Sequence, residues 1–514
     1  KTLLGQDVGE LSRFDAWLGE FQEPLVFKKS SLSGKDVAYS IPYYPESSKR
    51  ISLDEVNFGK KPAKIAIDDI KDMDSLLDAV KEQAYYCGNI ILGNSHYVDS
   101  SANISNSSFV SKSTFISNSK YIYRSSLVED GESLFGTNND AKSKQIIRGL
   151  ETCEATRCLE VLGTFGSSDS YYSFGLQNCT ECMFCFNLRN KKYAIGNREL
   201  EKAKYRKIKE KLLEDMRAEL ISKKKLQSLV KIVSGGKDFK SLNKSVFEFV
   251  KKDAVKGVEK CDMEPVEQAF GTASKLILGI ELKGLDRHGK WLEKNGRKVR
   301  RLRSMVSGRE IVTADYIPFS TYPKDRHVTL EESLKLASLV SFDDSEIDKI
   351  SFANMGEHIR KIAFFVTEMR RNKNENVMFT ALANTSQNVY KGGLYSYARY
   401  CAMSFWPRKA EYIFGSNTVF NSKFCIRCYF SNNLSRCFEV DSSTNCSDSY
   451  YLHNCENVHE SMFCFNAKNL RHAIGNVEVG KENFQMAKKI LLGHLARELD
   501  KKNDAGLTIF DIGK

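Results

Sequence analysis

The feature that most constrains this chain is a six-residue beat. Between residues 414 and 476, the third position of most blocks is aliphatic or Cys: Cys428, Leu434, Val440, Cys446, Leu452, Val458, Cys464 and Leu470. The sixth position is small: Cys425, Ser431, Cys437, Ser443, Ser449, Cys455, Ser461, Ala467 and Ala473. An α-helix turns once in 3.6 residues and drifts off any strict period of three or six. Short strands separated by corners and stacked in parallel keep that period, so the stretch predicts a β-solenoid.

The same beat begins near Asn89, with third positions Val98, Ile104, Val110, Ile116 and Ile122 and sixth positions Ser101, Ser107, Ser113, Ser119 and Ser125. Residues 135–197 then recur as 414–476 at an offset of 279, without a gap. Phe135-Gly136 returns as Phe414-Gly415, and Ala194-Ile-Gly-Asn197 as Ala473-Ile-Gly-Asn476. The Lys/Glu-rich segments that follow, near 198–232 and 477–502, carry apolar residues at helical spacing and read as amphipathic caps. Upstream, Tyr316-Ile-Pro-Phe-Ser-Thr-Tyr-Pro323 echoes Tyr39-Ser-Ile-Pro-Tyr-Tyr-Pro45, and the run at 355–372 echoes the helical run at 66–84.

The predicted fold is therefore mainly β: two tandem parallel β-helix (β-solenoid) modules with flanking and capping α-helices, α+β overall. The expected division is a lead-in at 1–36, a first module at 37–232 with its solenoid at 89–197, and a basic connector at 233–311. A second module at 312–502, with its solenoid at 377–476, and a tail at 503–514 complete it. A chain of 514 residues with 41% hydrophobic content can bury a large core. It opens at Lys1 rather than Met, as a processed or trimmed chain would. No run of 18 apolar residues is present, so no membrane span is expected.

The duplication tests each candidate site. Cys179, Cys182 and Cys185 have the spacing of a metal or cluster motif. Their counterparts are Val458, Ser461 and Cys464, and Val cannot replace a thiolate ligand, so these cysteines are expected in the core and no metal or cofactor is expected. Five cysteines fall nine apart, at 428, 437, 446, 455 and 464. A coil of about 18 residues would stack Cys428, Cys446 and Cys464 at the strand spacing of about 4.8 Å, within disulfide reach. Free thiols are expected instead, because the cysteines trade with Ser, Val and Leu between copies, which favours assembly in a reducing compartment.

Both copies share Arg157/Arg436 and Glu160/Glu439, three apart and expected to pair at a corner. Asp169, Tyr171 and Tyr172, with Asp448, Tyr450 and Tyr451, form a candidate outward stripe for a partner or glycan; a turn capped by the Asp is the alternative. Asn421, Asn433, Asn445, Asn457 and Asn469 recur every twelve residues and are expected to stack. In the connector, Arg297, Lys298, Arg300, Arg301 and Arg303 could meet an acidic partner or nucleic acid, or form a solvated hairpin turning at Asn295-Gly296. The formal charge of +12 is modest and requires no acidic partner.

Zinc-protease, P-loop, nucleophile-elbow and dinucleotide-binding patterns are absent from the sequence. The closing blocks, Met183-Phe-Cys-Phe-Asn-Leu-Arg-Asn-Lys-Lys-Tyr-Ala-Ile-Gly-Asn197 and a charged helix, resemble the end of uncharacterised Cys-rich repeat proteins of candidate-lineage bacteria and large phages. The second copy departs from that pattern at Ala467-Lys-Asn-Leu-Arg-His472. The resemblance implies the solenoid fold and no activity. The expected role is a non-catalytic structural or interaction subunit of a larger assembly, such as a viral particle or cell-associated array. The alternatives are a carbohydrate-binding or polysaccharide-cleaving β-helix protein and a nucleic-acid-associated protein.

Overall fold

The computed structural model describes residues 1–59, 65–234, 244–252 and 262–512. Two large parallel sheets carry most of the strands, with helices around them. In the first sheet, the strand at Ala102 pairs with those at Thr114, Ser126, Asn138 and Leu150 in turn, while the strand at His96 pairs with those at Ser108, Lys120, Glu132, Lys144 and Thr156. Each residue thus faces the one twelve positions on. The second sheet keeps this register, with Cys425 opposite Cys437 and Val440 opposite Leu452.

The cause lies in the backbone. From Tyr97 to Gly196, every third residue has a positive φ, and the same holds from Tyr397 to Gly475. Each left-handed residue bends the chain, and four bends bring it back onto itself in twelve residues. This corrects the eighteen-residue coil. It also explains the asparagines, since Asn enters the left-handed region more readily than most residues. Asn433 Nδ2 donates to Asn445 Oδ1 at 3.0 Å, Asn445 donates to Asn457, and Asn457 donates to Asn469 at 3.0 Å.

The residue after each left-handed one points inward. Ile104, Val110, Ile116, Ile122 and Val128 are buried there, alternating with Ser107, Ser113, Ser119 and Ser125. The serines are small because they have work to do. Ser113 Oγ donates to Ser111 O in its own rung (2.8 Å) and accepts from Ser125 N in the next (3.1 Å). Ser443 likewise donates to Asp441 O and accepts from Cys455 N. Cys takes the same position and donates its weaker S–H inward: Cys437 Sγ approaches Ser435 O and Cys446 O, both at 3.5 Å. The nine-residue spacing is therefore a step between successive cysteines across the core. All thirteen described cysteines are free thiols.

The copies exchange arms. Asn187 Nδ2 donates to Phe364 O (2.9 Å), and Asn466 Nδ2 to Tyr85 O (2.8 Å). Phe174 meets Phe365 with ring centroids 4.7 Å apart, as His453 meets Tyr86 at 5.3 Å. Each pair is the 279-residue image of the other, so the segment ahead of each sheet packs on the sheet of the other copy. Ion pairs Arg408–Glu129 (2.6 Å) and Arg371–Glu151 (3.0 Å) lie buried between the copies. Helices Lys202–Lys223 and Lys481–Lys502 follow the two sheets; Tyr205 reaches back to Tyr193 and Phe484 to His472. The run at 355–372 is only partly helical, over Met355–Ile359, and is extended at Met369–Arg371.

Two outcomes follow from the core chemistry. Ser443→Ala leaves the buried Cys455 N–H without its acceptor, and chemical denaturation is expected to read a loss of about 1–3 kcal/mol. Asp140 occupies an inward position between Val128 and Thr152, fully buried, and burial raises its carboxyl to about 7 against the pull of the Thr152 hydroxyl. A raised carboxyl is protonated in the folded chain while its unfolded counterpart is already ionised, so its share of stability is present below pH about 4 and lost as pH rises to about 7. Asp140→Asn should therefore flatten the stability profile between pH 4 and 7 and gain up to roughly 4 kcal/mol over the parent above pH 7.

Candidate functional surfaces

The strongest shared constellation is internal. Arg148 and Glu160 sit twelve apart on neighbouring rungs, with Arg148 Nε 2.7 Å from Glu160 Oε2, and Arg427–Glu439 repeats the pair. Each arginine donates to a tryptophan carbonyl, Trp17 O or Trp291 O, on the segment that enters its copy. Each glutamate accepts a backbone N–H from the segment that leaves it, Leu229 N or Ile509 N, both at 2.9 Å. The side chains of Arg427 and Glu439 are fully buried, and burial raises the Glu439 carboxyl against the pull of Arg427. The entering segment comes so close that a Cβ on Gly136 would lie 2.7 Å from Leu18 O, and one on Gly415 would lie 2.8 Å from Leu292 O.

This arrangement corrects the expected corner pairs. Arg157 bonds Asp169 through Nε and Nη2 (2.7 and 2.6 Å), and Arg436 bonds Asp448 in the same way (both 2.6 Å). Partners lie one rung away, at twelve, rather than at three.

The polar-aromatic stripe is not on the surface. Tyr171, Tyr172, Tyr450 and Tyr451 are all buried. Their hydroxyls donate to Leu3 O, Gln227 O, Ile277 O and Leu507 O, holding entering and leaving segments against the sheets. Asp169 and Asp448 are half-buried and bonded to Arg157 and Arg436. Cys179, Cys182 and Cys185 line the inward row, with S–H groups aimed at Gln177 O, Thr180 O and Met183 O. Among the described residues, no group of three or more His, Cys, Asp or Glu is arranged to hold a metal ion.

The basic connector folds onto its own chain. Val299–Arg303 pairs antiparallel with Glu310–Ala314, and the reversal runs through Ser304–Arg309 rather than Asn295-Gly296. Arg297 meets Glu23, Arg300 meets Asp315 and Arg301 meets Glu310, while Arg303 donates to Gly308 O; Lys298 is exposed. Each of these arginines has a partner within the chain, though Arg300 and Arg301 stay exposed.

One buried cluster brings together His, Asp, Tyr and Cys, with its polar groups bonded within it. His453 Nδ1 lies 2.8 Å from Asp441 Oδ2, which also accepts from Tyr44 OH at 2.7 Å. His453 Nε2 accepts the Cys87 peptide N–H at 2.7 Å, so its lone pair is unavailable to the Cys87 thiol, which donates to Gly88 O. The cluster joins the copies.

What faces solvent is a row that the sequence reading did not single out. Tyr97, Phe109 and Tyr121 occupy left-handed outward positions one rung apart and are exposed. Their rings stack at 4.7 and 5.1 Å with interplanar angles of 10° and 18°. The signal was an aromatic in the second position of alternate blocks, which becomes a row only at a twelve-residue register. Tyr400, Tyr412 and Phe424 stack similarly in the second copy but are half-buried.

Comparison with protein-family models, curated proteins and solved structures finds no match to this chain. Among the described residues, no helix is long and apolar enough to cross a membrane.

The two classes of ion pair predict different costs. Arg427→Met strands a buried carboxylate and should cost about 3–5 kcal/mol in denaturant unfolding. Arg436→Met removes a pair whose side chains are 40% and 29% exposed, and the loss should stay below about 1 kcal/mol.

Proposed function

We propose that this chain is a duplicated β-solenoid scaffold: a non-catalytic structural or interaction subunit whose two copies form an internal pseudo-dimer and which joins other subunits through an open sheet edge. The twelve-residue register, the inward Ser, Cys and aliphatic rows and the helices beyond both sheets support the solenoid reading. The arm exchange supports the pseudo-dimer, since a two-fold interface is self-complementary and closes on itself.

The observation that carries the assembly reading is the starting edge of the first sheet. Strand His96–Asp99 pairs on one side only, with Ser108–Ser111, and carries Tyr97 at 76% exposure. Unpaired strand edges recruit further strands. The glycan reading fits less well, because Phe109 lies between Tyr97 and Tyr121 with both ring faces covered, which leaves only the two end rings a face for a sugar to stack on. The nucleic-acid reading is weakened by the acidic partners of Arg297, Arg300 and Arg301.

Light scattering over a concentration series tests the assembly reading. The expected result is a mass that grows with concentration above 58.3 kDa and falls back to it in Tyr97→Lys, whose charge on the open edge opposes strand addition while Lys keeps the left-handed backbone, as at Lys112 and Lys142. A mass of one chain at every concentration would remove self-assembly as the role.

A further inference from the structure

The copies differ along one strip. In the second copy, helix Glu264–Leu278 lies along the outside of the rungs. At its start, Asp262 N donates to Asn376 Oδ1 (2.9 Å) and Asn376 Nδ2 donates to Asp262 O (2.7 Å). In its middle, Phe270 meets Phe414 at 5.2 Å; near its end, Ile277 O accepts from Tyr450 OH at 2.8 Å. Beneath it, Ala402, Phe414 and Ile426 are 0% exposed. Their images in the first copy, Tyr123, Phe135 and Ile147, are only half-buried. The image of Asn376 is Tyr97, which stands in solvent.

The first residues of the chain stand where that helix ends. Tyr171 OH donates to Leu3 O at 2.9 Å, as Tyr450 OH does to Ile277 O. Lys1-Thr-Leu-Leu-Gly5 matches Lys275-Leu-Ile-Leu-Gly279, and the glycine is left-handed in both, with φ of 78° and 75°. Trp17-Leu18 continues the match to Trp291-Leu292, and both tryptophan carbonyls accept from the buried arginines.

We propose that the strip of Tyr123, Phe135 and Ile147, bordered by the Tyr97–Phe109–Tyr121 row, is the seat of an amphipathic helix carried on polypeptide joined ahead of Lys1. Its apolar face has the chemistry of Val266, Ala269, Phe270 and Ala273: small and aliphatic side chains at three-to-four spacing with one aromatic ring. It runs down the rungs from Tyr97 and delivers its last turn at Leu3–Leu4. The inference rests on the duplicated-module reading and is independent of whether the chain assembles with other subunits.

The match sets the register of the test. Residues Asp262–Ser274 of this chain, grafted directly ahead of Lys1, restore the second-copy sequence up to the point where Lys1 stands for Lys275. The grafted chain is expected to unfold a few degrees higher, with slower amide exchange in strands Glu132–Phe135 and Lys144–Ile147. In a Phe135→Asp background the same graft should give no gain, the comparison being grafted against ungrafted in each background. A graft that leaves melting and exchange unchanged, or a gain that survives Phe135→Asp, overturns the proposal. So does an ungrafted chain that doubles in mass and returns to one chain on Phe135→Asp, since the strip would then seat a second copy. None of these outcomes depends on Tyr97→Lys, so this failure and that of the assembly reading are separable.

Discussion

A left-handed backbone disfavours an ordinary L-residue by about 1 kcal/mol or more, yet this chain adopts one at every third position from Tyr97 to Gly196. Tyr, Phe, Lys, Arg and Glu all take the conformation, not only Asn and Gly. It persists because the bends bring each residue opposite its partner twelve positions on, where parallel hydrogen bonds, buried aliphatic rows and serine bridges act together. Loss of one rung's hydrogen bonds would leave the strained residues around it unsupported. The register therefore controls the pairing of charges, the stacking of rings and the depth of the core.

Much of this was written in the residues. The six-residue beat led correctly to short parallel strands, and the asparagine spacing to a stacked row from Asn433 to Asn469, with Asn421 bonded to Asn432 instead. The rung length was hidden, because inward positions recur every three residues and leave twelve and eighteen equally consistent with the pattern. That ambiguity misassigned the charges: Arg157 has Glu160 near it in sequence but Asp169 near it in space. It also misplaced Tyr171 and Tyr172, whose outward reading ignored the segments that fold over them. Those segments come from distant parts of the chain, and local pattern holds no record of them.

The buried Arg–Glu pairs show why both copies keep the same polar residues inside an apolar body. Arg148–Glu160 and Arg427–Glu439 gather three parts of each copy at one point: the entering segment, the sheet and the leaving segment. An apolar pair of the same volume would fill the space without specifying which loop belongs there. The pairs thus set the position of the peripheral segments, and helix Glu264–Leu278 packs on the second sheet.

The exchange of arms between copies has a consequence for the order in which the molecule can be completed. Asn187 and Phe174 belong to the half that leaves the ribosome first, and their partners Phe364 and Phe365 are made nearly two hundred residues later. During that interval Phe174 lacks the ring that covers it and Asn187 its acceptor. Uncovered aromatic surface is what chaperones bind and what drives misassembly during synthesis. Truncation ahead of residue 364 removes the arm that covers the half already made.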